Sequence, residues 1–256
     1  MNAPSFEALL AEGAAVPVDG WDFSWFEGRA TEERPSWGYS RLLAQHLATA
    51  SAALDVQTGG GEVLAGALAH IPAPPAAVMA TESWPPNVEI ARRNLRPLGG
   101  TVVQVADDAD LPFPAGSFDL VVSRHPTVVR WNEVARVLQP RGFYLSQQVG
   151  AGSVRELTDF IMGPQPVGDV RSSPRAVASA EAAGLVVMDL RDEALRTVFY
   201  DIAAVVHFLR KVVWIVPGFT VDRYRDRLAE LHARIGTEGP FVAYAQRFLI
   251  KARRPS

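Results

Sequence analysis

The chain of 256 residues has no cysteine, which excludes disulfides, thiolate zinc sites and cysteine nucleophiles together. Its histidines, His46, His70, His125, His207 and His232, never fall at ligand spacing, so no protein-held metal is expected. No stretch reaches the roughly 18 uninterrupted apolar residues of a membrane span. The segment MNAPSFEALL also lacks a basic region ahead of a long apolar core, and the expectation is a cytoplasmic protein without membrane contact. A surplus of basic charge is missing as well. Lys and Arg number 25 against 28 Asp and Glu, a formal net charge of −3. A chain that gripped a large nucleic acid by its phosphates would ordinarily carry a basic excess, so a small-molecule partner is expected instead. Internal repeats and low-complexity tracts are absent. With 48% apolar and 21% charged residues the composition is that of an ordinary globular chain, long enough to bury a sizeable core.

What is present is organised around AALDVQTGGGEVLAGAL, residues 52–68. A short apolar run ends at Asp55, glycines follow at Gly59, Gly60 and Gly61, and an Ala- and Leu-rich segment begins at once. This reads as strand, tight loop and helix. Glycines there admit unusual backbone angles and a close ligand, and the free N–H groups of a new helix favour a negative ligand group. A dinucleotide fingerprint needs a small residue three positions after its second glycine; counting from Gly61, that place holds Leu64, which argues against NAD. Strand and helix then alternate: AAVMATE ends at Glu82, a helix runs near 86–98, and TVVQVAD ends at Asp107. A fourth strand ends near Ser123, a helix contains WNEVARVL, and after the turn QPRG comes FYLSQQV. Such alternation predicts an α/β chain with a parallel sheet covered on both faces. Each strand ends in polar residues, at the edge where open α/β sheets build ligand sites.

Asp55, Gln57, Gly59 and Gly61 resemble the acidic residue and G-x-G-x-G of the first motif of class I S-adenosylmethionine-dependent methyltransferases. LPFPAGSFDLVVS, followed by EVARVLQPRGFYL, resembles the type 11-like branch of that superfamily, whose usual text is LPFPDGSFD and then E-x-x-R-V-L-x-P-G-G. The resemblance covers roughly residues 50–150. It implies a Rossmann-like, seven-stranded, mostly parallel sheet in the order 3-2-1-4-5-7-6 with the last strand antiparallel, and S-adenosylmethionine as cofactor. The implied cofactor residues are Asp55, Gln57, Thr58, Gly59 and Gly61 in the loop, with Ser123 at the end of the fourth strand. Glu82 is matched to the carboxylate that accepts both ribose hydroxyls, a task suited to two acceptor oxygens. Asp107 is matched to the acceptor of the adenine amino group, and Asp108 would present a backbone N–H to the ring. Two positions depart from the family text. Gln57 stands at the first glycine of the motif, where a Cβ is unwelcome, and Arg141 stands at a glycine of the P-G-G turn.

The expected organisation is an N-terminal helical cap over 1–50, a cofactor-binding core over 51–150, and 151–256 as a continuation of the same domain with a helical lid at about 199–239. In the cap, Trp21, Trp25, Phe26 and Trp37 either staple a helix bearing Leu42, Leu43, His46 and Leu47 to the sheet or, with Arg29 and Tyr39, close over the cofactor. Farther on, VVMDL reads as a sixth strand and 194–219 as an apolar helical run stopping at Pro217. A helix capped by Thr220 and a last strand, FVAYAQRFLIKA, complete the pattern. Phe199, Tyr200, His207, Phe208 and Trp214 either line an aromatic substrate pocket or belong to the core. Of these, Tyr200, His207 and Trp214 are the pocket candidates, with Gln147 and Gln148 at the end of the fifth strand. In SRHP, 123–126, His125 is the candidate general base, because an imidazole titrates near neutrality; the alternative is a histidine that orients its loop. The activity expected is methyl transfer to oxygen or nitrogen of a small molecule such as a specialised metabolite. Alternatives are a ribosomal RNA guanine-N1 methyltransferase, although those carry a cysteine zinc module, and a non-catalytic protein of the same fold, suggested only by Gln57.

Overall fold

A computed structural model describes residues 4–18 and 23–256; Trp21 lies outside the described residues. The chain divides into two compact units. The larger comprises Pro35–Gly150, Asp169–Glu193 and Arg247–Ser256, and the smaller Met1–Arg34, Ala151–Gly168 and Ala194–Gln246.

The larger unit holds the parallel part of the sheet. Strand β2 (Ala52–Asp55) pairs in parallel with β3 (Ala77–Glu82) on one side and β5 (Phe118–Arg124) on the other. Beyond β3 lies β4 (Gly100–Gln104), and beyond β5 lies β6 (Leu138–Val149), both parallel. Alternate residues of these strands go to opposite faces. Ala53, Leu120, Val122 and Leu145 pack with Leu43, Leu64 and Val88 from helices α2 (Tyr39–Leu47), α3 (Glu62–Ala69) and α4 (Pro85–Leu95). Their neighbours Leu54, Val121 and Tyr144 pack with Val134 and Val137 of α5 (Trp131–Val137) and Ala180 of α7 (Ser173–Ala182). Burial on both faces explains why these strands read as nearly continuous apolar runs.

The strand order is β1-β7-β8-β6-β5-β2-β3-β4, with β1 (Ala30–Glu32), β7 (Val186–Phe199) and β8 (Phe241–Arg253) completing the sheet. The expected seven-stranded order is there, extended by β1, and β8 runs antiparallel to β6. Boundaries differ from expectation in five places. Strand β6 begins at Leu138, so QPRG is not a turn outside it; Arg141 takes a φ of +68° inside the strand. Strand β4 stops at Gln104, leaving Asp107 in a loop. The β-branched Thr197 and Val198 and the aromatic Phe199 continue β7 to Phe199, until Asp201 caps α8 (Ile202–Lys211) by accepting from the Ala204 N–H at 2.8 Å. Helix α8 ends at Lys211, well before Pro217, and α9 (Arg225–Glu238) starts after Tyr224, while Thr220 caps only a preceding turn through the Arg223 N–H.

In the smaller unit α1 (Phe6–Ala15) packs on α8 at Gly13, where a Cβ would sit 2.5 Å from the Ala203 carbonyl oxygen. Arg210 donates to the carbonyls of Gly13 and Val16 at 2.8 Å each. Arg29 pairs with Glu12 at 2.5 Å and Asp201 at 3.3 Å, which employs it structurally here. Helix α6 (Arg155–Met162) adds Leu157 and Ile161 to the same core as Phe199. Among the described residues no helix is long and apolar enough to cross a membrane.

Candidate cofactor and active site

The glycine loop leaves β2 and turns at once. Val56 N–H donates to the Val122 carbonyl and Thr58 N–H to that of Thr81, both at 2.9 Å, which hangs the loop between the two neighbouring strands. Gly59 and Gly61 have φ of +65° and +76°, angles that need glycine. A Cβ at Gly61 would press on Leu95 at 3.1 Å, so this glycine lets α3 sit close to α4. A Cβ at Gly59 would meet nothing within 4 Å. That open side is where a ligand can approach the main chain.

Asp55 is buried beneath the loop and accepts from the Thr58 hydroxyl at 2.6 Å. Burial raises its carboxyl to about 7 against the pull of the Thr58 bond, and the Glu82 carboxylate adds to the rise. Glu82 is itself buried, its two oxygens accepting from the N–H groups of Gly59 at 2.8 Å and Trp84 at 3.0 Å. Each carboxylate oxygen keeps a second lone pair, so Glu82 remains able to accept ribose hydroxyls.

Gln57 takes a φ of +59° and uses its side chain as a brace. Its Oε1 accepts from Thr127 N–H at 2.6 Å and its Nε2 donates to the Val128 carbonyl at 2.7 Å. The Thr127 hydroxyl then donates to Asp107 at 2.6 Å. Arg130 binds the Asp108 carbonyl and, at 2.7 Å, the Asp110 carboxylate. Three loops, after β2, β4 and β5, are thereby laced around a shallow groove. Gln57, Thr81, Asp107, Ser123, Pro126, Val128 and Tyr144 are among its walls. The groove itself joins the Asp107 carboxylate to an apolar wall, and the glycine loop and Glu82 follow from the neighbouring ends of β2 and β3, an arrangement that fits a molecule with a purine, a ribose and an amino acid end. Asp107 and Glu82 would hold the first two, and the loop backbone the third.

The floor is a buried hydroxyl cluster. Ser123 Oγ lies 2.7 Å from the Tyr144 hydroxyl and 2.9 Å from Ser146 Oγ, and the Tyr39 hydroxyl donates to the Ser123 carbonyl at 3.0 Å. Burial pushes the Tyr144 phenol up to about 12, so it stays a neutral donor. The Ser123 hydroxyl is thus engaged within the protein. Tyr39 and Trp37, offered by the sequence as closing elements, are buried at 6% and 2% exposure and brace the ends of β5 and β6. His125, with a φ of +54°, donates its N–H to the Gln147 carbonyl at 2.7 Å, and its Nε2 lies 2.9 Å from Gln147 Nε2. Among the described residues Gln148 Nε2 is buried without a partner.

The remaining expected pocket residues belong to the smaller unit. Tyr200 and Trp214 are exposed, at 42% and 44%. His207 is 1% exposed and packs against Trp25 and Phe26, ring centroids 5.0 and 4.9 Å away; among the described residues its Nδ1 has no partner. Burial, with Lys211 and Arg210 close by, brings it down to about 4. Phe199 and Phe208 pack edge to face at 5.1 Å. The sequence reading missed Thr81, Thr127, Arg130 and Tyr144; only the proximity of three loops reveals them.

Residues 54–146 match the family described as methyltransferase domain, type 11. A comparison with curated proteins gives no match. Similar solved structures include the YcgJ protein from Bacillus subtilis, 20% identical over 85% of this chain and 98% of that one, with a TM-score of 0.59. A putative methyltransferase from Bacillus halodurans is 18% identical over 85% and 99%, TM-score 0.59. Geranyl diphosphate C-methyltransferase from Streptomyces coelicolor, solved with S-adenosyl-L-homocysteine, is 15% identical over 85% and 77%, TM-score 0.52. Motif, fold and match agree on an S-adenosylmethionine-dependent methyltransferase, whose methyltransferase domain is matched over residues 54–146.

Proposed function

We propose that the chain methylates oxygen or nitrogen of a small-molecule acceptor. The observation that carries this reading is the groove itself, whose walls join the Asp107 carboxylate to the apolar surface of Pro126 and Val128 just beyond β5. The bound cofactor supplies an electrophilic methyl group on a sulfonium. The protein's own residues supply position: Asp107, Glu82 and the Gly59–Gly61 backbone hold one reactant, and the 125–130 loop borders the other. Holding two reactants in line accounts for much of the rate in such a transfer. Support also comes from the geranyl diphosphate C-methyltransferase and the putative sarcosine dimethylglycine methyltransferase among similar structures, both named for small substrates. A net charge of −3 agrees with a small acceptor better than with RNA. The test has two stages. Calorimetric titration with S-adenosylmethionine should show binding that Asp107→Ala weakens. Release of S-adenosylhomocysteine is then followed with a panel of phenols, carboxylic acids and amines and, separately, with ribosomal RNA. Turnover with RNA alone would overturn the small-molecule reading.

A further inference from the structure

The end of β5 carries a chain of hydrogen bonds whose direction is fixed by chemistry. Trp37 has a single polar atom, Nε1–H, which can only donate, and it lies 2.8 Å from Gln147 Oε1. The carbonyl end of the Gln147 amide must therefore face Trp37. Its NH₂ end is left facing His125 Nε2 at 2.9 Å, and an amide NH₂ can only donate. So Nε2 is an acceptor, and the ring proton sits on Nδ1. No described group takes that Nδ1–H.

From this geometry we propose that Trp37 and Gln147 are positioning residues that fix the His125 ring as its Nδ1–H tautomer, a hydrogen-bond donor to the methyl acceptor rather than its base. Two further observations agree. His125 has the left-handed φ of +54° that costs a non-glycine residue stability, a strain that tends to persist where a side chain must be aimed. The charged groups that act on it, Arg124 on β5 and Arg247 on β8, are both cationic, and with burial they hold the imidazole well below its ordinary range. Tyr39 on α2, whose hydroxyl donates to the Ser123 carbonyl, stays a neutral phenol because burial raises it.

The consequence for the substrate rests on the small-molecule reading above. A histidine whose acceptor nitrogen is already occupied takes no proton from the nucleophile. The acceptor then arrives with a lone pair ready, as a carboxylate, a phenolate or an unprotonated amine. The sulfonium carbon–sulfur bond breaks as the new bond to oxygen or nitrogen forms; any proton on an amine product leaves to solvent. An oxyanion would accept the Nδ1–H directly.

Nitrogen-15 NMR of the full-length protein without ligand tests the tautomer, with the His125 signals assigned by their loss in His125→Ala. The expected wild-type spectrum has a pyrrole-type Nδ1 and a pyridine-type Nε2, unchanged from about pH 8 to about pH 5.5, where a free imidazole would have titrated. Gln147→Glu keeps an acceptor for Trp37 and puts an acceptor against Nε2, so Nε2 should become protonated in that variant. A wild-type ring protonated at Nε2, or one that titrates near 6.5, overturns the proposal. So does a folded Gln147→Glu protein with the wild-type tautomer. If that variant does not fold, the wild-type spectrum still decides. These readouts need no substrate, so their failure is separate from any failure to find a small-molecule acceptor.

Discussion

Asp55→Asn should stabilise the ligand-free protein in neutral solution and lose that advantage in acid. The Asp55 carboxyl lies under the glycine loop at 7% exposure, one oxygen held by Thr58 at 2.6 Å. Burial and the neighbouring Glu82 bring its value to about 7, from 3.8 for an unhindered aspartate. A carboxyl whose folded value is raised binds a proton more tightly in the native state. Stability is then greatest below the unfolded value and declines as pH rises from there through the folded value. At about 1.4 kcal/mol per unit, the full decline is a little over 4 kcal/mol for Asp55 alone, an upper figure because buried sites relax and admit water. Asparagine is nearly isosteric, keeps an oxygen for the Thr58 hydroxyl and does not ionise. Urea unfolding of wild type and variant, at about pH 4 and about pH 8, yields the difference between them at each pH. The variant's relative stability should be greater at the higher pH by between about 1 and 4 kcal/mol. An equal difference at both pH values, or one that shrinks on going to pH 8, would refute the claim that this carboxylate is buried at a cost.

The brace at Gln57 predicts a pair of outcomes: Gln57→Ala loses two hydrogen bonds and should cost about 1–2 kcal/mol in chemical unfolding, whereas Gln57→Gly offsets that loss by relieving the left-handed φ and should lie within about 1 kcal/mol of wild type. His207, brought down to about 4 by burial, must stay neutral in the folded state; its contribution is present at neutral pH and lost as pH falls from 6.5 toward 4. His207→Phe keeps the stacking on Phe26 and should flatten that acid limb, visible as a smaller drop in thermal midpoint between neutral and mildly acidic buffer. Leu54→Ala empties a fully buried site at the centre of the sheet and should cost about 2–5 kcal/mol by denaturant titration. Asp107→Ala should weaken S-adenosylmethionine in calorimetry by roughly 10- to 100-fold, the worth of one hydrogen bond to a charged acceptor.

The central sheet and its glycine loop are written in local sequence patterns. Strands with two buried faces must be apolar throughout, helices between them need a periodic apolar stripe, and a glycine loop between the two is local chemistry, so Ala52–Asp55, Gly59–Gly61 and Glu82 at the end of β3 could be read in order, whereas Asp107 lies in a loop past the end of its strand. Element ends were less legible. Whether TVF continues a strand or opens a helix was decided by pairing, as in Ala30 against Phe199, and by the cap at Asp201. Side-chain roles were decided by tertiary structure alone. Nothing local says that Gln57 reaches Thr127, seventy positions away, or that Trp37 orients Gln147 across 110. Nor does sequence position reveal that His125 faces a donor instead of an acceptor. Composition and periodicity report what each residue prefers; which polar groups meet, and therefore which proton sits where, depends on contacts that only the folded chain makes.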